Sequence, residues 1–213
     1  MKAKLLILTM VIAMVAAVPA MATTLQIQFS GLNLTYDGNN IAAVNDDLAT
    51  MNFFDCGILV GTLNSNIAID MLIPNVGTIF DGNGVYSSGT GFGLDLMTGV
   101  GSGINLDWDS PVTVNVNDGG QVSVLGSAST STINSQNLPF GFNFDTPVQV
   151  SFSTQITSSS LTNFAGTRNY YNRFESFGTG EVSGPRSAIP EPATLLTIGV
   201  GLLGGAIARR RKK

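Results

Sequence analysis

Five acidic or amide side chains in turn-like segments have the chemistry needed to bind a cation. They are Asp81, Asn83, Asp107, Asp109 and Asp118. Calcium is a hard cation that prefers carboxylate and carbonyl oxygens, but no segment has the ligand spacing of an EF-hand loop. The alternative is that these are solvated turn residues, because Asp and Asn readily hydrogen-bond to nearby backbone. We therefore expect no cofactor, with a structural calcium as the one alternative left open.

A second candidate for chemistry is the run Asp107-Trp108-Asp109. Glycoside hydrolysis needs two carboxyl groups, and Trp108 could stack on a sugar ring. Tyr170 and Tyr171 offer a second aromatic platform for carbohydrate. Packing in the core or at its rim is the favoured interpretation for all three aromatic residues, with the sugar platform as the alternative.

Composition excludes several other functions. The 213 residues include no histidine and one cysteine, so Ser-His-Asp triads, Cys-His pairs and histidine-ligated metals are all absent. Between residues 23 and 188 there are three basic and thirteen acidic side chains, a formal charge of −10. Because a nucleic-acid binder needs a positive surface to displace phosphate counterions, we expect no nucleic-acid partner, and we expect no enzyme.

The N-terminus has the three parts of a secretory signal peptide, over residues 1–22. Lys2 and Lys4 are the positive region, and an apolar stretch of 14 residues follows, from 5 to 18. Ala20 and Ala22 form a small-x-small site, so signal peptidase is expected to cleave after Ala22. The alternative, a membrane anchor, needs roughly 20 apolar residues.

The C-terminus carries a second hydrophobic segment of different design. The order along the chain is Pro190-Glu191-Pro192, sixteen uncharged residues from 193 to 208, and the basic run Arg209, Arg210, Arg211, Lys212 and Lys213. The uncharged residues predict a helix of about 24 Å, slightly short for a bilayer. Segments rich in Lys and Arg stay on the cytoplasmic side of the membrane. The basic C-terminus and the signal peptide therefore both predict that the body lies on the opposite side. A simple tail anchor is the alternative.

This three-part order resembles the PEP-CTERM sorting signal, over residues 188–213. The resemblance implies export by a Gram-negative, often biofilm-forming bacterium. It also implies recognition by a membrane-embedded exosortase, which cleaves near Pro190, Glu191 and Pro192 and delivers the body to the cell surface. Exosortase genes commonly accompany genes for exopolysaccharide synthesis, so exopolysaccharide is an expected partner. The same tail is also catalogued as a C-terminal domain of ice-binding proteins, a name that says nothing about this body.

The body, residues 23–177, has the two-residue apolar period of β-strands with one buried face. Examples are Ile67, Ile69 and Met71, and Val112, Val114 and Val116. Turn signals such as Asp37-Gly38 separate about nine such runs. We predict an all-β fold, an antiparallel sandwich or jelly roll, flanked by the signal peptide and the transmembrane sorting helix.

Four local features complete the prediction. Ile41–Phe54 is the best candidate for a short helix, and residues 178–187 are predicted as a polar linker. Cys56 is predicted to be a buried small hydrophobe, with a free reactive thiol or an intermolecular disulfide as the alternatives. The similar runs 90–96 and 100–106 suggest either calcium-binding β-helix repeats or a hairpin with Gly-rich bends, and two imperfect copies favour the hairpin.

The function expected from these features is that of an exported, non-enzymatic surface or matrix protein. The alternative is a carbohydrate-binding module, with or without calcium, that uses Trp108 or the Asp-rich turns.

Overall fold

The structure is a computed structural model, and it describes residues 24–99, 102–108, 110–128, 132–164, 166 and 168–187. Contacts between residues group Thr23–Ser187 into one compact unit. Thirteen strands lie in this unit. In chain order they are β1 Thr24–Tyr36, β2 Ile41–Asp47, β3 Thr50–Asp55, β4 Ile58–Leu63, β5 Ala68–Ile73, β6 Gly84–Ser87, β7 Phe92–Met97, β8 Gly103–Trp108, β9 Thr113–Val116, β10 Gln121–Ala128, β11 Thr132–Gln136, β12 Val148–Phe164 and β13 Arg168–Pro185.

All described strand pairs are antiparallel, so the predicted all-β antiparallel class is confirmed. The strand order is β11-β8-β7-β5-β2-β1-β13-β12-β10-β9-β6, and a β3–β4 hairpin branches from β1. The hairpin preferred for the similar Gly-rich runs is the β7–β8 pair, with Phe92 opposite Trp108. A 3-10 turn lies at Pro139–Gly141. Within the described part of the chain there is no helix of the length and apolarity that crossing a bilayer requires.

Three long strands, β1, β12 and β13, connect the two halves of the sheet. The first half of β1 pairs with β3 and its second half pairs with β2, while β13 runs along its other edge throughout. This change of partner from β3 to β2 occurs near Gly31, where the register between β1 and β13 also shifts. Gly31 has a φ of +89° and its Cα approaches the Ala49 backbone, so a side chain there would be strained and would collide with Ala49 N.

The core forms because alternate residues of each strand point to one buried side. In β8, Ile104, Leu106 and Trp108 are buried, and the residues between them are not. Aromatic rings fill the largest spaces: Phe92 lies 4.5 Å from Trp108 between ring centroids, and Tyr36 lies 5.0 Å from Phe174. The buried side chains form one hydrophobic cluster within the described unit.

Two local predictions are wrong. Ile41–Phe54 is not a helix but forms β2 and β3, because its buried residues alternate and its backbone pairs with β5 and β1. The linker predicted over 178–187 is the end of β13 as far as Pro185, paired with both β1 and β12. The glycines at 178, 180 and 184 lie within this strand, where neighbouring atoms occupy the space that a side chain would need.

Candidate functional site

The calcium candidates are only partly brought together. The Asn83 backbone N–H donates to Asp118 Oδ1 at 3.0 Å, and Asn83 Nδ2 donates to Oδ2 at 2.6 Å. The Asp118 N–H donates back to Asn83 Oδ1 at 3.1 Å. Among the described residues, no group of three or more His, Cys, Asp or Glu side chains is placed to hold a metal ion. The Asn83–Asp118 pair therefore connects two turns by hydrogen bonds, and a structural calcium stays an untested alternative.

The remaining calcium candidates lie in different settings. Asp81 accepts a hydrogen bond from the Tyr171 hydroxyl at 3.1 Å. Asp107 lies on β8 opposite Gly93 and Thr132, with an exposed side chain. Asp109 lies outside the described residues. The predicted carboxylate pair of Asp107 and Asp109 is therefore not tested.

The core packing favoured for the aromatic residues is confirmed for Trp108 and Tyr171, and the alternative of a sugar platform is excluded for these two. Trp108 is 1% exposed, because it continues the inward-facing series of β8. Tyr171 is 6% exposed, with its ring edge-on to Phe174 at 5.5 Å. Tyr170 is half-buried and forms an isolated bridge with Phe80. Neither Trp108 nor Tyr171 has a ring face available to a sugar.

The position predicted for Cys56 is wrong. Cys56 is exposed, in the tight turn between β3 and β4, with Gly57 after it. Both residues have positive φ, 50° and 78°, as the two central residues of a type I′ hairpin turn do. A side chain at such a turn points to solvent, so the local Phe-Phe-Asp-Cys-Gly-Ile sequence was misleading.

The buried Tyr171 hydroxyl makes stability sensitive to alkaline pH. Burial, together with the hydrogen bond to Asp81, raises the Tyr171 pKa to about 12. A free tyrosine has a pKa of about 10, so between these values the folded state holds a proton that the unfolded state has lost. We expect the free energy of unfolding to be unaffected by this group below pH 10 and to fall as pH rises toward 12. Urea unfolding at pH 8, 10 and 11 measures the slope.

Tyr171→Phe is the matched variant, because it keeps the ring and removes the titrating group. Its loss of stability between pH 10 and 11 should be smaller than that of the parent chain. Tyr36, whose pKa is also raised by burial, contributes to the slope that remains. An identical pH slope in parent and variant would contradict the assignment.

A groove on the outward face of five adjacent strands is the candidate binding site, and we call it the polar groove. Its volume is about 630 Å³. Two cross-strand rows line it, in the strand order β3, β1, β13, β12, β10. One row is Asn52, Gln28, Glu181, Ser151 and Leu125, and the other is Thr50, Ser30, Thr179, Ser153 and Ser123.

Hydroxyl and amide groups dominate the polar groove, and several are already oriented by neighbours. The Ser30 and Thr50 hydroxyls are 2.7 Å apart, and Thr62 Oγ1 donates to Asn52 Oδ1 at 2.7 Å. Gln121 Nε2 donates to Ser153 Oγ at 3.2 Å. Glu181 is the one charged side chain among the described residues that line the groove. The groove can therefore donate and accept hydrogen bonds to an uncharged polar ligand.

The polar groove was not predicted from the sequence. Its signal was present in the alternation of polar residues, such as Ser151 and Ser153 around buried Phe152. That alternation shows which side chains face outward within a strand. It does not show that β3, β1, β13, β12 and β10 are neighbours, because the residues that pair are far apart in sequence.

The folded unit ends at Ser187, directly before the sorting signal predicted over residues 188–213. Arg186 is paired with Asp55, with 2.6 Å between Nη2 and Oδ2. The Ser187 N–H donates to the Asn143 carbonyl at 2.8 Å. Only Ala188 and Ile189 then precede the Pro-Glu-Pro motif.

Comparison with known families decides what this C-terminal segment is. Residues 188–212 match the PEP-CTERM protein-sorting motif. The resemblance stated from the sequence is thereby confirmed, with one residue fewer than predicted. A PEP-CTERM signal marks its carrier for exosortase-dependent export to the cell envelope or surface, with exosortase as the processing partner.

The comparisons give no information on the body. No curated protein and no solved structure matches the chain. Pro190, Glu191 and Pro192, the helix predicted over 193–208, the basic residues from Arg209 to Lys213, and the signal-peptidase site at Ala20 and Ala22 lie outside the described residues.

Proposed function

We propose that this protein is a non-enzymatic component of the cell surface or extracellular matrix that associates with exopolysaccharide. The PEP-CTERM motif at residues 188–212 carries the proposal. In the proposed route, signal peptidase cleaves after Ala22 and the segment 193–208 spans the inner membrane of a Gram-negative cell transiently. The basic residues from Arg209 stay in the cytoplasm, and exosortase then cleaves near Pro190.

The chemistry of the body supports a binding role over catalysis. The chain has no histidine, the residue used most often for general acid–base catalysis. Two of its carboxylates serve structural contacts, Asp55 with Arg186 and Asp118 with Asn83. The one-sided burial of the strands supports the finer fold proposal, two halves of the sheet packed face to face as a sandwich.

The proposed association with polysaccharide is supported by the surface of the body. Ser, Thr and Asn provide hydroxyl and amide groups across the polar groove, and these groups suit the hydroxyl groups of sugars. The carbohydrate-binding alternative is therefore retained, but moved from Trp108 to the polar groove.

The intact mass of the protein collected outside producing cells tests the route. We expect a species that begins at Thr23 and ends near Pro190, recovered with the matrix polysaccharide fraction. A host that lacks exosortase is the control, and there the chain should keep residues 193–213 and stay with the cells. Recovery of those residues outside cells with active exosortase would contradict processing, and absence of the trimmed protein from the polysaccharide fraction would contradict the association.

A further inference from the structure

We propose that the polar groove binds a neutral polysaccharide lying across the strands, with Phe177 as its aromatic stacking platform. This inference rests on the proposed association with exopolysaccharide and identifies the site and the ligand class. It is carried by the dimensions of the groove, by its charge and by the position of an exposed aromatic ring.

The dimensions of the polar groove fit an extended chain better than a single small molecule. The row from Asn52 on β3 to Leu125 on β10 crosses five strands. With strands about 4.8 Å apart, it spans about 19 Å. The groove volume of about 630 Å³ lies within the range of ligand sites. An occupant that fills it must therefore run across the strand direction.

The charge of the groove selects an uncharged occupant. An anionic polymer is usually held by Arg or Lys, and the described lining residues include neither. Glu181 lies in the middle of one row, and the body from 23 to 188 has a formal charge of −10. Both charges repel a polyanion. Ser, Thr, Asn and Gln side chains donate and accept hydrogen bonds, and sugar hydroxyls do the same.

Phe177 supplies the apolar contact that hydroxyl groups alone cannot supply. It lies on β13 two residues before Thr179 and faces outward like Thr179 and Glu181. Its side chain is 55% exposed, and its cross-strand partners Asn33 and Gln155 are also exposed. Two strand residues cover about 6.8 Å, so the ring lies beside the Thr179 row, along one long edge of the groove at its middle strand. The electron-rich face of an aromatic ring attracts the C–H groups of a sugar.

The polar groove is also organised before a ligand arrives. Ser30 and Thr50 hydrogen-bond to each other, and Thr62 orients Asn52. Cross-strand pairing fixes the backbone beneath each of these side chains. Binding then costs less side-chain entropy than it would on a mobile surface.

The test is polysaccharide binding by the full-length chain, purified in a polyoxyethylene detergent so that no sugar detergent competes. Affinity electrophoresis in gels with dextran, a neutral β-glucan or anionic alginate gives dissociation constants. We expect retention by at least one neutral polymer and none by alginate. Phe177→Ala should weaken retention at least tenfold, and Phe177→Trp should preserve it.

Two further variants test the groove itself. Ser151→Trp fills the middle of the groove and should also weaken retention at least tenfold. Leu72→Ala removes a side chain of similar exposure, 48%, from β5 outside the groove and should change nothing. Unchanged melting temperatures show that each variant is folded.

Different results would contradict this inference and the proposed function. Binding of neutral polymers that Phe177→Ala and Ser151→Trp leave unchanged would overturn the groove assignment, and so would retention by alginate alone or by no polymer. The proposed function survives these results if the exported protein still co-purifies with matrix polysaccharide. It fails if the exported protein never does, whatever the purified chain binds.

Discussion

Replacement of Pro190, Glu191 and Pro192 together by alanine is expected to reduce C-terminal cleavage of the chain at least about tenfold, a loss of about 1.4 kcal/mol in transition-state stabilisation. A residue that precedes proline is biased toward extended backbone, the form in which proteases bind substrates. Ile189 and Glu191 each precede a proline in this motif. Alanine removes this bias and the carboxylate, and it leaves the hydrophobic segment intact. Pulse-chase labelling with an antibody to the body measures the cleaved fraction.

Two controls separate recognition from folding and from membrane topology. Pro111→Ala with Glu175→Ala changes the same residue types at non-buried positions of the body and should leave cleavage normal. Replacement of Arg209, Arg210, Arg211, Lys212 and Lys213 by glutamine should also reduce cleavage, but through lost orientation. Added protease should then digest the C-terminus from the periplasmic side. Normal cleavage of the Pro-Glu-Pro variant would contradict the sorting assignment for these residues.

The folded unit ends directly before the sorting motif in the sequence. Arg186 and Ser187 are held by Asp55 and Asn143, and only Ala188 and Ile189 separate Ser187 from Pro190. A polar linker of ten residues was expected over 178–187, between the last strand and the sorting helix. Strand pairing with distant residues of β1 and β12 instead continues β13 as far as Pro185.

The fold class was predictable because it depends on local alternation. Strands such as Ala68–Ile73 bury alternate residues, and the sequence pattern of Ile69 and Met71 shows this directly. The inward position of Trp108 was predictable in the same way, because Ile104 and Leu106 precede it at two-residue spacing. The core position favoured for this ring over a sugar platform is therefore confirmed.

The groove was not predictable, because it depends on pairing between distant residues. Gln28 lies beside Asn52 on one side and Glu181 on the other. The predictions for Cys56 and for the stretch Ile41–Phe54 were wrong for a similar reason. Their local sequences suit several structures, and pairing of β3 with both β1 and β4 selects one.

The glycines of β13 also depend on pairing between distant strands. Replacement of one of them is therefore expected to lower the stability of the folded unit. A Cβ on Gly178 would overlap the Ser153 carbonyl oxygen and lie 2.7 Å from Thr154 Cα, both backbone atoms of β12. Backbone within a paired strand cannot move aside without breaking hydrogen bonds. Gly178→Ala is therefore expected to lower the free energy of unfolding by about 3 kcal/mol or more. For a chain of this size, that corresponds to a drop in Tm of at least about 6 °C.

Gly93→Ala is the matched control, because Gly93 also lies within a strand, β7. The Cβ there would meet only Asp107 Oδ1, at 3.6 Å, an ordinary contact. Alanine in a strand loses less conformational entropy on folding than glycine, so Gly93→Ala should be neutral or stabilising by about 0.5 kcal/mol. Trp108 is the one tryptophan and is buried, so its fluorescence during urea unfolding of the full chain reports both variants. Equal stabilities for the two variants would show that β12 and the end of β13 do not pack closely at Gly178, and residues 178–187 would then again be best described as a linker.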